Sequence, residues 1–155
     1  MAEFNNKPVI FALSNPTSRA ECTAEDAYKW SDGRVIFSSG SPFDPVVLKD
    51  GSTRRPGQGN NAYVFPGIGL GALTAKASVL PDDIFLTAAE ALANFVDEDD
   101  LAYGALYPQL DEIRTVSHAI AVEVAQKAFS LKVARAERPA DLAKAISDSM
   151  YDPQY

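Results

Sequence analysis

Apolar and polar residues alternate between two regimes along this chain. Lys7–Leu13 (KPVIFAL) is a continuous apolar run that halts at Ser14-Asn15-Pro16. A short run without alternation reads as a strand buried on both faces, as in a parallel sheet. Thr23-Ala-Glu-Asp26 resembles a capping box with Asp in its last position, and it opens a short helix through about Trp30 that Gly33 ends. Arg34–Ser38 (RVIFS) is a second short buried strand running into Gly40-Ser41-Pro42. Strand, helix and strand follow one another at the size of a right-handed βαβ unit.

Val46–Leu48, Lys49-Asp50-Gly51-Ser52 and Thr53–Arg55 carry an Asp-Gly hairpin signal, expected on the edge of that sheet. Gly57-Gln-Gly-Asn-Asn61 reads as a loop. From about Pro81 onward the pattern turns helical. Ala62–Ala77 is rich in small residues, as in a helix packed closely on a sheet. Pro81 with Asp82 and Asp83 begins a helix to about Val96, with Ile84, Phe85, Ala88, Ala89, Leu92 and Phe95 as its core stripe. Ile113, Val116, Ile120, Val124, Ala128 and Leu131 mark a long helix from about Asp111, and Leu142, Ile146 and Met150 a short last one. The expected fold class is α/β: a partial parallel sheet of Rossmann type flanked by helices, then a helical C-terminal segment. Residues 1–110 and 111–155 are the expected divisions.

Composition narrows the function. The chain has 155 residues, 46% of them hydrophobic, with 14 Lys+Arg against 21 Asp+Glu. That is enough chain for a real core and gives a net charge of −7, which argues against an electrostatic nucleic-acid binder. One cysteine allows neither an internal disulfide nor a thiolate metal site. No apolar run approaches the roughly 20 residues needed to span a bilayer. Met1–Lys7 has no signal- or transit-peptide character. The expectation is a soluble, cytoplasmic protein that binds neither nucleic acid nor membrane.

Gly67-Ile-Gly69-Leu-Gly71-Ala72 satisfies G-x-G-x-x-A after the strand-like Tyr63-Val-Phe65, with Glu90 about 20 residues on. Pro66 occupies the place of the tight turn and Glu90 lies mid-helix, so the match reads as a decoy whose small residues permit close packing. His118, the single histidine, has no second ligand nearby in sequence, and Cys22 has no histidine partner; both read as structural. Asp97-Glu-Asp-Asp100 and Asp82-Asp83 read as helix-start acids. The loop amides stand out instead. Asn15 ends one strand, and Asn60-Asn61 follow a Gly-Gln-Gly turn before a helix. Ligands in open α/β sheets bind beyond the carboxyl ends of strands, where an amide offers donors and an acceptor without charge. Spacing alone leaves two readings open, ligand contact and turn capping.

Longer strings carry a resemblance. Ile10-Phe-Ala-Leu-Ser-Asn-Pro-Thr17, Ala20-Glu-Cys-Thr-Ala-Glu25, Ser39-Gly-Ser-Pro-Phe43, Pro56-Gly-Gln-Gly-Asn-Asn-Ala-Tyr63 and Leu106-Tyr-Pro108 resemble, in order, the C-terminal part of the malic enzymes. Trp30-Ser31 and the ending Met150–Tyr155 resemble plant-type NADP-dependent members. The resemblance implies oxidative decarboxylation of malate to pyruvate and carbon dioxide with NADP or NAD and a Mg or Mn ion. It implies that Asn15, Asn60 and Asn61 line the substrate and nicotinamide pocket, with Ser14 and Gly59 as support. The family's catalytic Tyr and Lys, its metal ligands and its substrate Arg belong to segments preceding the matched region. No catalytic residue or metal ligand is therefore expected here, nor tight cofactor binding by this chain alone. The chain is expected to be a fragment, inactive alone, working within a homo-oligomer. The alternative is a non-catalytic truncated paralogue that associates with full-length subunits, and a plastid or mitochondrial address stays open for the parent.

Overall fold

A computed structural model describes residues 1–151. The chain divides into two compact units, one of residues 1–60 and 96–108, the other of residues 61–95 and 109–155.

The first unit is built on a three-stranded parallel sheet. Strand β1 (Val9–Ala12) pairs with β2 (Ile36–Ser39), Val9 standing opposite Ile36 and Ala12 opposite Ser39. Between them runs α1 (Ala24–Trp30), whose N-cap Thr23 accepts a hydrogen bond from the Asp26 backbone N–H at 3.1 Å. The helix ends where Asp32 and Gly33 turn left-handed (φ 50° and 73°) and the Gly33 N–H returns to the Tyr28 carbonyl. The βαβ expectation holds.

Three expectations for this unit are corrected. The hairpin β3 (Val46–Val47) and β4 (Thr53–Arg54) forms its own antiparallel pair rather than extending the parallel sheet. Part of the expected loop is a strand: β5 (Gly57–Gln58) pairs in parallel with Ser38 and Ser39 of β2. And β1 is not buried on both faces, because Val9, Phe11 and Leu13 are each nearly half exposed, while Ile10 and Ala12 turn toward the core. That core gathers Ala12, Ala24, Ala27, Tyr28, Val35 and Phe37. Burial pushes the Tyr28 phenol up to about 12.

The second unit is helical. It comprises α2 (Phe65–Ala75), α3 (Asp82–Ala93), α5 (Ile113–Ser130) and α6 (Leu142–Ser149); the short α4 (Glu98–Ala102) belongs to the first unit. Val116, Ile120, Val124 and Ala128 of α5 are fully buried, as its periodicity predicts. The α3 stripe is narrower than expected: Ile84, Ala88, Ala91 and Leu92 are buried, whereas Phe85 and Ala89 face solvent. Small residues of α2 do permit a close approach, but to a helix rather than a sheet. A Cβ on Gly67 would stand 2.6 Å from the Ile120 Cβ, and one on Gly71 2.5 Å from the Ala121 carbonyl oxygen.

Candidate functional site

The three parallel strands end side by side, and the amide residues stand at that end. The order β1–β2–β5 places Asn15 beyond the first strand, Gly40 and Ser41 beyond the middle one, and Gly59-Asn60 beyond the third. Backbone bonds lock these exits together. The Gly40 N–H donates to the Ala12 carbonyl at 3.1 Å, and the Gly59 N–H to the Ser39 carbonyl at 2.8 Å. The Gln58 side-chain amide reaches the Gly40 carbonyl at 3.4 Å.

Asn15 is exposed, follows Ser14 and precedes Pro16 through a cis peptide bond. Its side-chain oxygen accepts from the Ser41 hydroxyl, a bond that does not use the two N–H donors of the amide. A Cβ on Gly40 would crowd the Leu13 carbonyl and the same Asn15 oxygen, so the middle strand needs its glycine for the amide to sit there. Ser14 supports this turn by donating its hydroxyl and its backbone N–H to the Glu21 carboxylate. Asn60 is exposed and its N–H donates to the Gln58 carbonyl at 3.1 Å. Asn61, also exposed, opens the second unit in the short turn Asn61–Tyr63. Ser41, Glu21 and Gln58 hold the neighbourhood together, yet no motif marks them as partners in the sequence.

The Ser14 hydroxyl bond, followed by backbone N–H bonds at Glu21 and Ser14, holds the Glu21 carboxyl below its ordinary value of 4.5. A depressed folded-state value stabilises above the unfolded value, and that stabilisation is lost as pH falls through the folded one. Glu21→Gln is therefore expected to lower stability slightly at neutral pH, the difference from the parent chain closing as pH falls below about 5, which flattens the acid side of the profile. Urea midpoints measured across pH would check it; identical acid limbs would sink it.

The remaining candidates resolve as structure. Gly67, Gly69 and Gly71 lie inside α2, and the turn and helix over Asn61–Ala75 replace the strand that a dinucleotide fingerprint requires. A ring nitrogen of His118 is bonded at 3.0 Å to the Ala143 carbonyl, joining α5 to α6. Burial, then the charges of Asp26 and Glu21, push the Cys22 thiol up, the opposite of an activated thiolate. Asp97 caps α4 by accepting from the Asp100 N–H at 2.7 Å. Among the described residues no three His, Cys, Asp or Glu side chains gather where they could hold a metal, and no helix is long and apolar enough to cross a membrane.

A family model described as malic enzyme, NAD binding domain, matches residues 1–129. The chain belongs to the malic enzyme family. It is 52% identical to the NADP-dependent malic enzyme of Columba livia and 53% identical to that of Populus trichocarpa, in each case over its whole length. It spans only 28% and 26% of those two malic enzymes. Among solved structures, malic enzyme from Pyrococcus horikoshii Ot3 matches 93% of the chain at TM-score 0.67 and 26% identity, using 28% of that protein. Entamoeba histolytica malic enzyme matches 96% of the chain at TM-score 0.73 and 24% identity, again over 28% of that protein, a likeness of fold. The Rossmann-type α/β expectation and the malic enzyme resemblance both hold. Of the ending read as plant-type, Asp152, Pro153, Gln154 and Tyr155 lie outside the described residues.

Proposed function

We propose that this chain supplies the substrate and nicotinamide side of a malic enzyme, taking part in the NADP- or NAD-linked oxidative decarboxylation of malate to pyruvate and carbon dioxide. The observation that carries the reading is the placement of Asn15 and Asn60 at one end of three parallel strands, each exposed, the first on a turn held by Ser14, Glu21 and Ser41 and the second on a turn held by backbone bonds. Asn15, Asn60 and Asn61 are the proposed binding residues, with Ser14 and Gly59 in support. The N–H donors of Asn15 suit a carboxylate or a ribose hydroxyl, and the Asn60 amide, as donor and acceptor, suits a carboxamide. The nicotinamide ring, when bound, supplies the hydride acceptor. To the chain's own groups we assign binding and orientation, and no proton transfer.

The metal stands differently. With no cluster of three candidate ligands among the described residues, these side chains do not fit a Mg or Mn site, and no step of the reaction is assigned to one here. We therefore read the isolated chain as inactive on malate, and its catalysis as completed by residues of a longer protein or of partner subunits. Residues 1–110 carry the proposed site and 111–155 its helical C-terminal segment. The bare face of Val9, Phe11 and Leu13 is the surface we assign to packing in the complete enzyme.

The test is a chimera in which these 155 residues replace the matching 156 of the Columba livia enzyme. Malate-dependent NADPH formation is expected from the chimera, and Asn15→Ala or Asn60→Ala should lower kcat/KM about tenfold or more, the loss of at least one ligand hydrogen bond of about 1.4 kcal/mol. A folded, active chimera that keeps full kcat/KM in both variants would defeat the reading. The 155-residue chain assayed alone should give no NADPH above a blank.

A further inference from the structure

Gly57 of β5 and Gly59 just beyond it lie against a side chain from a distant part of the sequence. A Cβ on Gly57 would stand 3.3 Å from Cδ2 of the Tyr107 ring, and one on Gly59 3.4 Å from the Tyr107 hydroxyl. The ring thus lies lengthwise along the strand, its edge at the first glycine and its oxygen at the second. Asn60 is the next residue. Leu13 Cδ2 would stand 3.1 Å from that Gly59 Cβ, and the fully buried Ser38 hydroxyl, which has no hydrogen-bond partner, 3.4 and 3.5 Å from the two positions. A side chain at either position would be tight, Leu13 or the Tyr107 ring having to give by a few tenths of an ångström.

The segment that delivers Tyr107 is fastened to the same unit. The Arg55 N–H donates to the Tyr103 carbonyl at 3.2 Å, and the Arg55 guanidinium stacks over the Tyr103 ring at 5.2 Å. Ala105 and Pro108, two residues before Tyr107 and one after, are buried. Leu106-Tyr-Pro108 thus belongs to the sheet unit.

This arrangement answers a physical difficulty. β5 is two residues long, joined to β2 by few bonds, and one of those residues and the next are glycines, whose ordering costs the most conformational entropy. Apart from the Gln58 amide on the Gly40 carbonyl, such a strand end has no side chain of its own to order it. An aromatic ring supplies wide contact for the loss of few rotamers.

We propose that Tyr107 is a positioning residue for Asn60. By lying along Gly57–Gly59 it holds the Gly59 N–H on the Ser39 carbonyl and fixes the direction in which the Asn60 amide leaves the sheet. The inference rests on Asn60 being a ligand contact, so position and catalysis are measured separately.

In the full chain, isotope-labelled for NMR, Tyr107→Ala is expected to shift the Asn60 backbone and side-chain amide signals and to speed Gly59 amide exchange at least tenfold. Signals of Asn15 should stay in place, and Tyr107→Phe, which keeps the ring on Gly57 but loses the oxygen at Gly59, should restore those of Asn60 in large part. Tyr107→Leu, which covers Gly57 but does not reach Gly59, carries the same comparison if the alanine variant does not fold. Unchanged Asn60 and Gly59 signals, or equal movement at Asn15, overturn the proposal. In the chimera with the Columba livia enzyme, Tyr107→Ala is expected to raise KM about tenfold with a smaller change in kcat, and Tyr107→Phe to restore most of it. If Asn60 moves in the NMR spectrum while KM does not, positioning stands and the ligand role of Asn60 falls.

Discussion

Gly71→Ala is expected to destabilise the helical unit by about 3 kcal/mol, while Gly69→Ala, one helical position-pair away, is expected to stabilise it by about 0.5–1 kcal/mol. Both substitutions add one methyl group to the same helix. They differ in what that methyl meets. At Gly71 it would arrive 2.5 Å from the Ala121 carbonyl oxygen and 2.9 Å from Cβ and Cγ1 of Val124, so two packed backbones must part. At Gly69 nothing lies within 4 Å, and the change removes only the entropic cost of a glycine inside a helix. Urea denaturation would show opposite shifts of midpoint with an unchanged slope. The pair also discriminates against a nucleotide-binding role for Gly67–Ala72, in which Gly69 would be the least replaceable position because the phosphates approach its backbone. A Gly69→Ala variant less stable than the parent chain would sink the packing account.

Why that decoy could be dismissed from sequence, while other features could not be seen, is a matter of range. Pro66 and Glu90 were out of place for a fingerprint by local rules alone, and Pro66 indeed sits in the first turn of α2. Local rules also sufficed for α1, capped by Thr23 and ended at Gly33, and for the buried stripe of α5. They failed where a strand owes its existence to a neighbour. Gly57-Gln58 has no side-chain periodicity to announce β5; the strand forms because Ser38 and Ser39 present an open backbone edge. An apolar run such as Lys7–Leu13 likewise shows that a strand can be covered on both faces, not that both covers lie within these residues. For the site, Asn15 and Asn60 were legible because strand ends and amides are local features. Ser41, Glu21 and Tyr107 were not, since each reaches its partner across a loop whose path no short motif encodes.

Phe37→Ala is expected to cost the sheet unit about 3–5 kcal/mol, a large part of the 5–15 kcal/mol that holds an ordinary domain together. The reason is the make-up of the core around it. Of the six residues gathered there, three are alanines, so most of the apolar volume comes from Phe37, Tyr28 and Val35. Phe37 is wholly buried and its ring meets two others, Tyr28 at 6.2 Å and Phe43 at 6.0 Å between centroids, the second nearly edge-on at 77°. Alanines cannot move in to fill the space left, so the full cavity cost applies rather than the collapsed one. Tyr28 would also lose a ring contact, which adds to the cost. Phe37→Leu, which keeps most of the volume, should cost less than half as much. Hydrogen exchange would show where the loss falls: protection of the Val9–Ala12 and Ile36–Ser39 amides should drop steeply, and that of the Gly59 N–H with them, since its acceptor Ser39 ends the same strand. The Asn60 turn depends on that bond. A Phe37→Ala chain that kept those amides protected would mean that the sheet draws its stability from somewhere other than this aromatic trio.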